Sequence, residues 1–138
     1  MTLLPSGLPK VIQDDEPIAR FLTQSSQFSR TRADPSAFLP RKSDKETSVS
    51  RHGREPIETL KSLGRAAAGE RKLYGAVIIT AQDVRGASLQ IASDEPPDRH
   101  AVISGWPWLD NDPQQQKALQ KERALLLVSA AGVPVLFS

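Results

Sequence analysis

Five of the eleven prolines directly follow an acidic residue, as Glu16-Pro17, Asp34-Pro35, Glu55-Pro56, Glu95-Pro96 and Asp112-Pro113. Proline at the first helical position arrives with its φ fixed and loses no hydrogen bond, while the acid before it caps free amides and meets the positive end of the helix dipole. Each pair therefore punctuates the chain, and three of them open apolar patterns of helical period. Residues 17–23 place Ile18, Phe21 and Leu22 on one face, which predicts a short helix. From Pro56 onward, Ile57, Leu60 and Leu63 fall on one stripe; Gly64 is a natural C-cap position, and the alanines at 66–68 are available to extend the helix. The third pair gives the main helix: Asp112 as cap, Pro113 first, Ala118, Leu119, Leu125, Leu126 and Ser129 at helical spacing, then Gly132 and Pro134 beyond its end.

Strands are expected where β-branched residues cluster between turn signals. Residues 74–80, YGAVIIT, are too short a run for a buried helix and read as a central strand. Residues 89–92 and 101–104 are its candidate partners. The alternating ETSVSR at 46–51 suggests an edge strand, residues 37–39 pair briefly before Pro40, and the tail at 133–137 either closes the sheet or hangs free. The predicted fold class is α+β, a small, mostly antiparallel sheet with two or three helices packed on one side. At 138 residues the chain suits one domain, here 14–138 behind a flexible lead at 1–13 that is rich in Pro, Gly and Ser.

The absence of cysteine excludes disulfides, thiolate metal sites and cysteine nucleophiles, and two histidines leave little for a protein-caged zinc. No run is apolar enough to span a membrane and the start lacks the pattern of a secretory signal, so the expected location is cytoplasmic, without membrane contact. The formal charge is only +2, and it is unevenly spread: residues 41–72 carry nine basic and five acidic groups, a local excess of four. That excess makes nucleic acid a candidate partner through 41–72, although a solvated face reaches the same density.

The densest chemistry lies at 94–108, DEPPDRHAVISGWPW. It holds Asp94, Asp98, Arg99 and His100 beside Trp106 and Trp108, a combination of titrating groups and indoles from which binding walls are made. Each histidine follows an arginine, Arg51-His52 and Arg99-His100, and such a pair suits an anion: guanidinium forks onto phosphate or carboxylate while imidazole moves a proton near neutrality. Asp94, Glu95, Asp98 and His100 carry metal-ligand chemistry, but prolines restrict the wrapping that a cation loop needs, and no metal is expected. Ser26 and Arg30, within SSQFSRTR, form a second polar cluster able to grip phosphate. No phosphate-loop or nucleophile-elbow motif occurs, so no cofactor is expected.

The segments EPIARFL, SSQFS, PSAFLP, ETSV, the Asp83-Val84 pair and above all DEPPDRHAVISGWP resemble a bacterial family of small proteins whose function is uncharacterised. The resemblance covers about residues 14–130 and implies a bacterial protein of one domain; it carries over no catalytic residue. The leading expectation is a non-enzymatic binding or accessory module that meets a protein partner through the 94–108 loop. The alternative is an enzyme or ligand-binding protein for a phosphorylated or nucleotide-like compound, with Arg99 on the anion and His100 as acid or base.

Overall fold

The computed structural model describes residues 2–52 and 55–137. Nine elements follow in chain order: β1 (Pro17–Leu22), β2 (Thr47–Arg51), α1 (Ile57–Ala68), β3 (Gly75–Thr80), α2 (Ala81–Gly86), β4 (Gln90–Ser93), β5 (His100–Ser104), α3 (Pro113–Ala130) and β6 (Val135–Leu136). The six strands form one sheet in the order β4-β5-β2-β1-β3-β6, and every neighbouring pair is antiparallel. The fold is α+β. Among the described residues no helix is long and apolar enough to cross a membrane.

Strand alternation sorts the sheet into two faces. One carries Ile18, Leu22, Val49, Val77, Ile79, Ala101 and Ile103 into the main core, where they meet Ala81 and Val84 of α2, Ala124, Leu127 and Val128 of α3, and Phe38 and Trp106 from loops. The other face carries Ala19, Phe21 and Ala76 into a smaller cluster with Leu60 of α1. Two helices thus share one side of the sheet and the third covers part of the other. Gly64 lets α1 approach that far, because a Cβ there would lie 2.9 Å from the Phe21 ring.

Several local expectations need correction. Residues 17–22 are a strand, not a helix: with Ile18, Ala19, Phe21 and Leu22 all buried, both faces are apolar and the period-two signal disappears. Residues 46–51 do not make an edge, since β2 lies between β1 and β5. The strand at 74–80 is interior but second from the sheet's end, flanked by β1 and the two-residue β6. Residues 35–37 form a 3-10 turn capped by Asp34, whose carboxylate accepts from the Ser36 amide at 2.9 Å, in place of a strand at 37–39. In α3 the cap and Pro113 stand as expected, but the buried stripe is Gln120, Ala124, Leu127 and Val128, while Leu125 and Leu126 are exposed. Four consecutive apolar residues at 125–128 leave the phase of that helix undefined by pattern alone. Two hydrogen bonds set it, Gln120 Nε2 to the Pro107 carbonyl (2.9 Å) and Arg123 Nη1 to the Ser88 carbonyl (3.0 Å). Helix α2 was not foreseen, although Thr80 and Asp83 form a capping box at its start.

The segment expected to lead flexibly into the domain is fastened to it. Ile12 is in the main core, and carbonyls of the segment accept from Arg51 (Pro9, 2.6 Å), Arg85 (Ile12, 2.7 Å) and Ser93 (Lys10, 2.7 Å). The strongest link is ionic. Arg51, fully buried at the end of β2, donates through Nε and Nη2 to the two oxygens of Glu16 at 2.5 Å each.

Two variants test these constraints. Glu16→Ala strands a guanidinium with no exposure, whereas Arg51→Met strands a carboxylate that keeps 14% of its side-chain surface and can recruit water. Urea denaturation should therefore show Glu16→Ala to be the more damaging, by about 3–5 kcal/mol relative to wild type. A Cβ at Gly75 would collide with the backbone of Val135 and Leu136. Gly75→Val should displace β6 and speed amide hydrogen exchange at the tail while leaving α3 protected.

Candidate anion-binding site

The ladder between β1 and β2 covers only Ile18↔Arg51 and Ala19↔Ser50. Beyond it Arg20 bridges the two segments with its side chain: Nη1 donates to the Ser48 carbonyl at 2.9 Å and Nε to the Ala37 carbonyl at 2.6 Å. A cavity of 330 Å³ opens beside this bridge. Its walls are Ser48 and Ser50 of β2, Phe21 of β1, the last residues of α1 (Ala66, Ala67, Ala68), Leu39, and Pro97 with His100 from the start of β5.

Arg20, Arg41 and Arg71 converge on this cavity, and neither Asp nor Glu lines it. Arg71 is fixed at the end of α1, donating to the carbonyls of Ala68 (3.1 Å) and Ala67 (2.9 Å). Arg41 is exposed and paired with Asp44. The Arg20 pKa is lowered to about 10, first through burial and then through the positive charges of Arg71 and Arg41. Arg20 still carries its charge at neutral pH, within an environment that holds surplus positive potential. Its Nη2 has no hydrogen-bond partner among the described residues. Thr23, Thr47, Ser48 and Ser50 add hydroxyls around the same space. The arrangement can accept an anion through charge-assisted hydrogen bonds, with an apolar wall for the body of a small molecule.

His100 belongs to this cavity, but its sequence neighbours do not. Its Nδ1 lies 3.1 Å from the Asp94 carbonyl and 3.2 Å from Oδ2 of Asp94, which leaves Nε2 as the ring nitrogen without a partner among the described residues. Arg99, with φ +61°, turns away to Glu55, 3.1 Å from Nη2. There it meets the other Arg-His dipeptide: the register Ser50↔His100 sets the two pairs side by side, and the Arg51 amide donates to the Arg99 carbonyl at 2.7 Å. His52 Nδ1 and Arg99 Nη1 are both buried without a hydrogen-bond partner among the described residues. Burial, and secondarily the Arg99 charge, push the His52 pKa below its ordinary 6.5.

The remaining candidates disperse. Ser26 lines a separate depression with Phe28 and Arg32, while Arg30 is exposed and lines neither space. Arg30, Arg99 and His100 thus do not share a cavity. Asp98 is exposed, 4.0 Å from Nε of Arg99. Trp106 is buried in the main core, its Nε1 without a hydrogen-bond partner among the described residues, and Trp108 is half-buried with Lys45 Nζ 5.2 Å from the ring centre. Among the described residues no group of three His, Asp or Glu could hold a metal ion. Arg20, Arg41 and Arg71 escaped the reading of the sequence; the one available signal was Arg20, a charge inside the otherwise apolar PIARFL.

No family model, curated protein or solved structure matches the chain.

The depressed His52 pKa has a definite consequence for stability. As pH falls through 6.5 the unfolded chain takes up a proton that the folded chain resists, so the contribution of this site is present above 6.5 and is lost as pH falls through the lower folded value. The urea midpoint of the wild type should drop across that window, and His52→Gln should flatten the drop; equal slopes for the two proteins would contradict this assignment.

Proposed function

We propose that this protein binds a small phosphorylated compound in the cavity between β1, β2 and the end of α1. Arg20 and Arg71 hold the anion there, Arg41 closes on it from the rim, and His100 offers its free ring nitrogen as a hydrogen-bonding partner. The carrying observation is the convergence of three guanidinium groups on one concavity without a lining carboxylate. Burial first, and then the like charges of Arg71 and Arg41, lower the Arg20 pKa, so the positive charge there is held at a cost. A bound phosphate relieves it, and the cavity's 330 Å³ is within the range of small-ligand sites.

This reading favours the ligand-binding alternative over a contact surface at 94–108, because Trp106 is committed to the core and cannot serve as an interface anchor. It also replaces Arg99 by Arg20 and Arg71 as the anion-holding groups, since Arg99 faces Glu55. No reaction is assigned to the site, and the resemblance to the bacterial family adds none.

Thermal unfolding in phosphate against chloride at matched ionic strength tests the proposal. Phosphate should raise the midpoint of the wild type, and Arg71→Gln should weaken the apparent affinity at least about tenfold, the worth of one charge-assisted hydrogen bond. General salting effects act on both proteins alike. An identical phosphate shift in wild type and Arg71→Gln would sink the idea.

A further inference from the structure

A second cavity, of 360 Å³, adjoins the first around the end of α1. Arg71 and Ala68 line both. The second is walled by Lys61, Arg65, Arg71 and Lys72 together with Phe137, again without a lining carboxylate. Lys61 is 3.9 Å from the largely exposed Glu58, a weak attachment. Arg65 and Lys72 are exposed. Six cationic side chains therefore follow one track in two adjoining hollows, and Arg71, pinned to the α1 carbonyls, stands at the joint.

One phosphate cannot use this track. Charges distributed over two cavities do not converge on a single tetrahedral anion, whereas a ligand with regularly repeated phosphates meets both hollows at once. The track is also selective in its composition. Residues 41–72 contain nine basic groups, of which Arg41, Lys61, Arg65, Arg71 and Lys72 line the two cavities, while Arg51 is consumed by Glu16. The five acids of the same segment line neither. Two of those acids stay paired at the margin, Asp44 with Arg41 and Glu58 with Lys61, whereas Arg20, Arg65, Arg71 and Lys72 have no carboxylate partner among the described residues. Phe21 in the first hollow is committed to the smaller core cluster, and half-buried Phe137 in the second carries Lys61 Nζ 5.8 Å from its ring centre, so the cations and not the rings define the track. A basic groove that tracks a regularly phosphorylated backbone is the electrostatic part of the chemistry that holds single strands.

We infer that the ligand of this site is single-stranded nucleic acid, whose backbone passes from the Arg20 cavity over Arg71 into the hollow formed by Lys61, Arg65 and Lys72. The inference rests on the anion-binding reading of the first cavity and extends it to a polymer.

Fluorescence anisotropy with labelled oligouridylates of one, two, four and eight nucleotides tests the extension. Affinity should climb with length until both hollows are spanned. For about four backbone contacts, log K should fall against log salt with a slope of about −3. Lys72→Gln and Arg65→Gln, both at exposed positions, should each weaken the octamer by roughly three- to tenfold and lower the slope by about 0.7. Neither should alter the phosphate-induced thermal shift, whereas Arg71→Gln should reduce both signals. An octamer that binds no tighter than the mononucleotide, with the phosphate shift intact, overturns the extension and spares the first reading. Tighter binding of a duplex, or of polyglutamate, also overturns it. Loss of every anion response defeats both readings together.

Discussion

A guanidinium with no exposed surface needs a partner that remains with it, and the pairing of Arg51 with Glu16 and the Pro9 carbonyl joins three stretches that the backbone ladder scarcely holds. Strands β1 and β2 pair through only two residues each. The ion pair secures them at one end, where Ile18 faces Arg51, so they can part at the other. In that parting Arg20 reaches the Ser48 carbonyl, and the cavity opens beside it. The candidate site is thus a consequence of where the sheet is held and where it is not. A longer ladder would satisfy the backbone without Arg20 and leave no concavity.

Arginine plays the same part elsewhere. Arg20, Arg51, Arg71, Arg85 and Arg123 all donate to backbone carbonyls in irregular segments or at element ends. The guanidinium fork offers five donors on a long apolar stem, so one side chain can satisfy several carbonyls and still cover hydrophobic surface. In a chain without cysteine and with 38% hydrophobic residues, such clamps do for loops what a larger core or a disulfide does in other small domains. The three glutamates that precede proline serve the same economy. Glu16 meets Arg51, Glu55 meets Arg99, and Glu95 accepts from Ser6, whereas Asp34 and Asp112 cap the turn or helix that follows them. The longer side chain reaches a distant segment; the shorter one bends back to the local amides.

This difference explains what the sequence could disclose. Helices α1 and α3 and strands β3 and β5 were legible because their length and apolar content speak locally. Strand β1 was not, because a run buried on both faces has lost its alternation and its Ile18, Phe21, Leu22 spacing imitates a helix. The phase of α3 depended on hydrogen bonds from Gln120 and Arg123 to residues far away in the chain. At the site, His100 is visible as part of a dense motif, and the Arg-His dipeptide stands out because it occurs twice. The register of its two copies, however, comes from the β2–β5 ladder, which then gives Arg99 to Glu55 and His100 to the cavity. Arg20, Arg41 and Arg71 lie in three separate segments with ordinary surroundings, and only folding makes them neighbours.

Net charge is a poor guide to binding when the fold sorts charges by reach. A formal +2 over 138 residues describes a nearly neutral chain, yet the carboxylates are drawn off to Arg51, Arg85, Arg99, His100 and Arg41. What remains uncompensated is the group around the end of α1, including Arg20, whose pKa is lowered first by burial and then by the positive charges of Arg71 and Arg41. A fold that leaves like charges together in a hollow forgoes stability that one nearby carboxylate would restore, since opposite charge within a few ångströms favours the ionised guanidinium. In the function proposed above, an anion from solution supplies the same compensation reversibly, and its binding energy is coupled through mass action to folding of the β1–β2 junction.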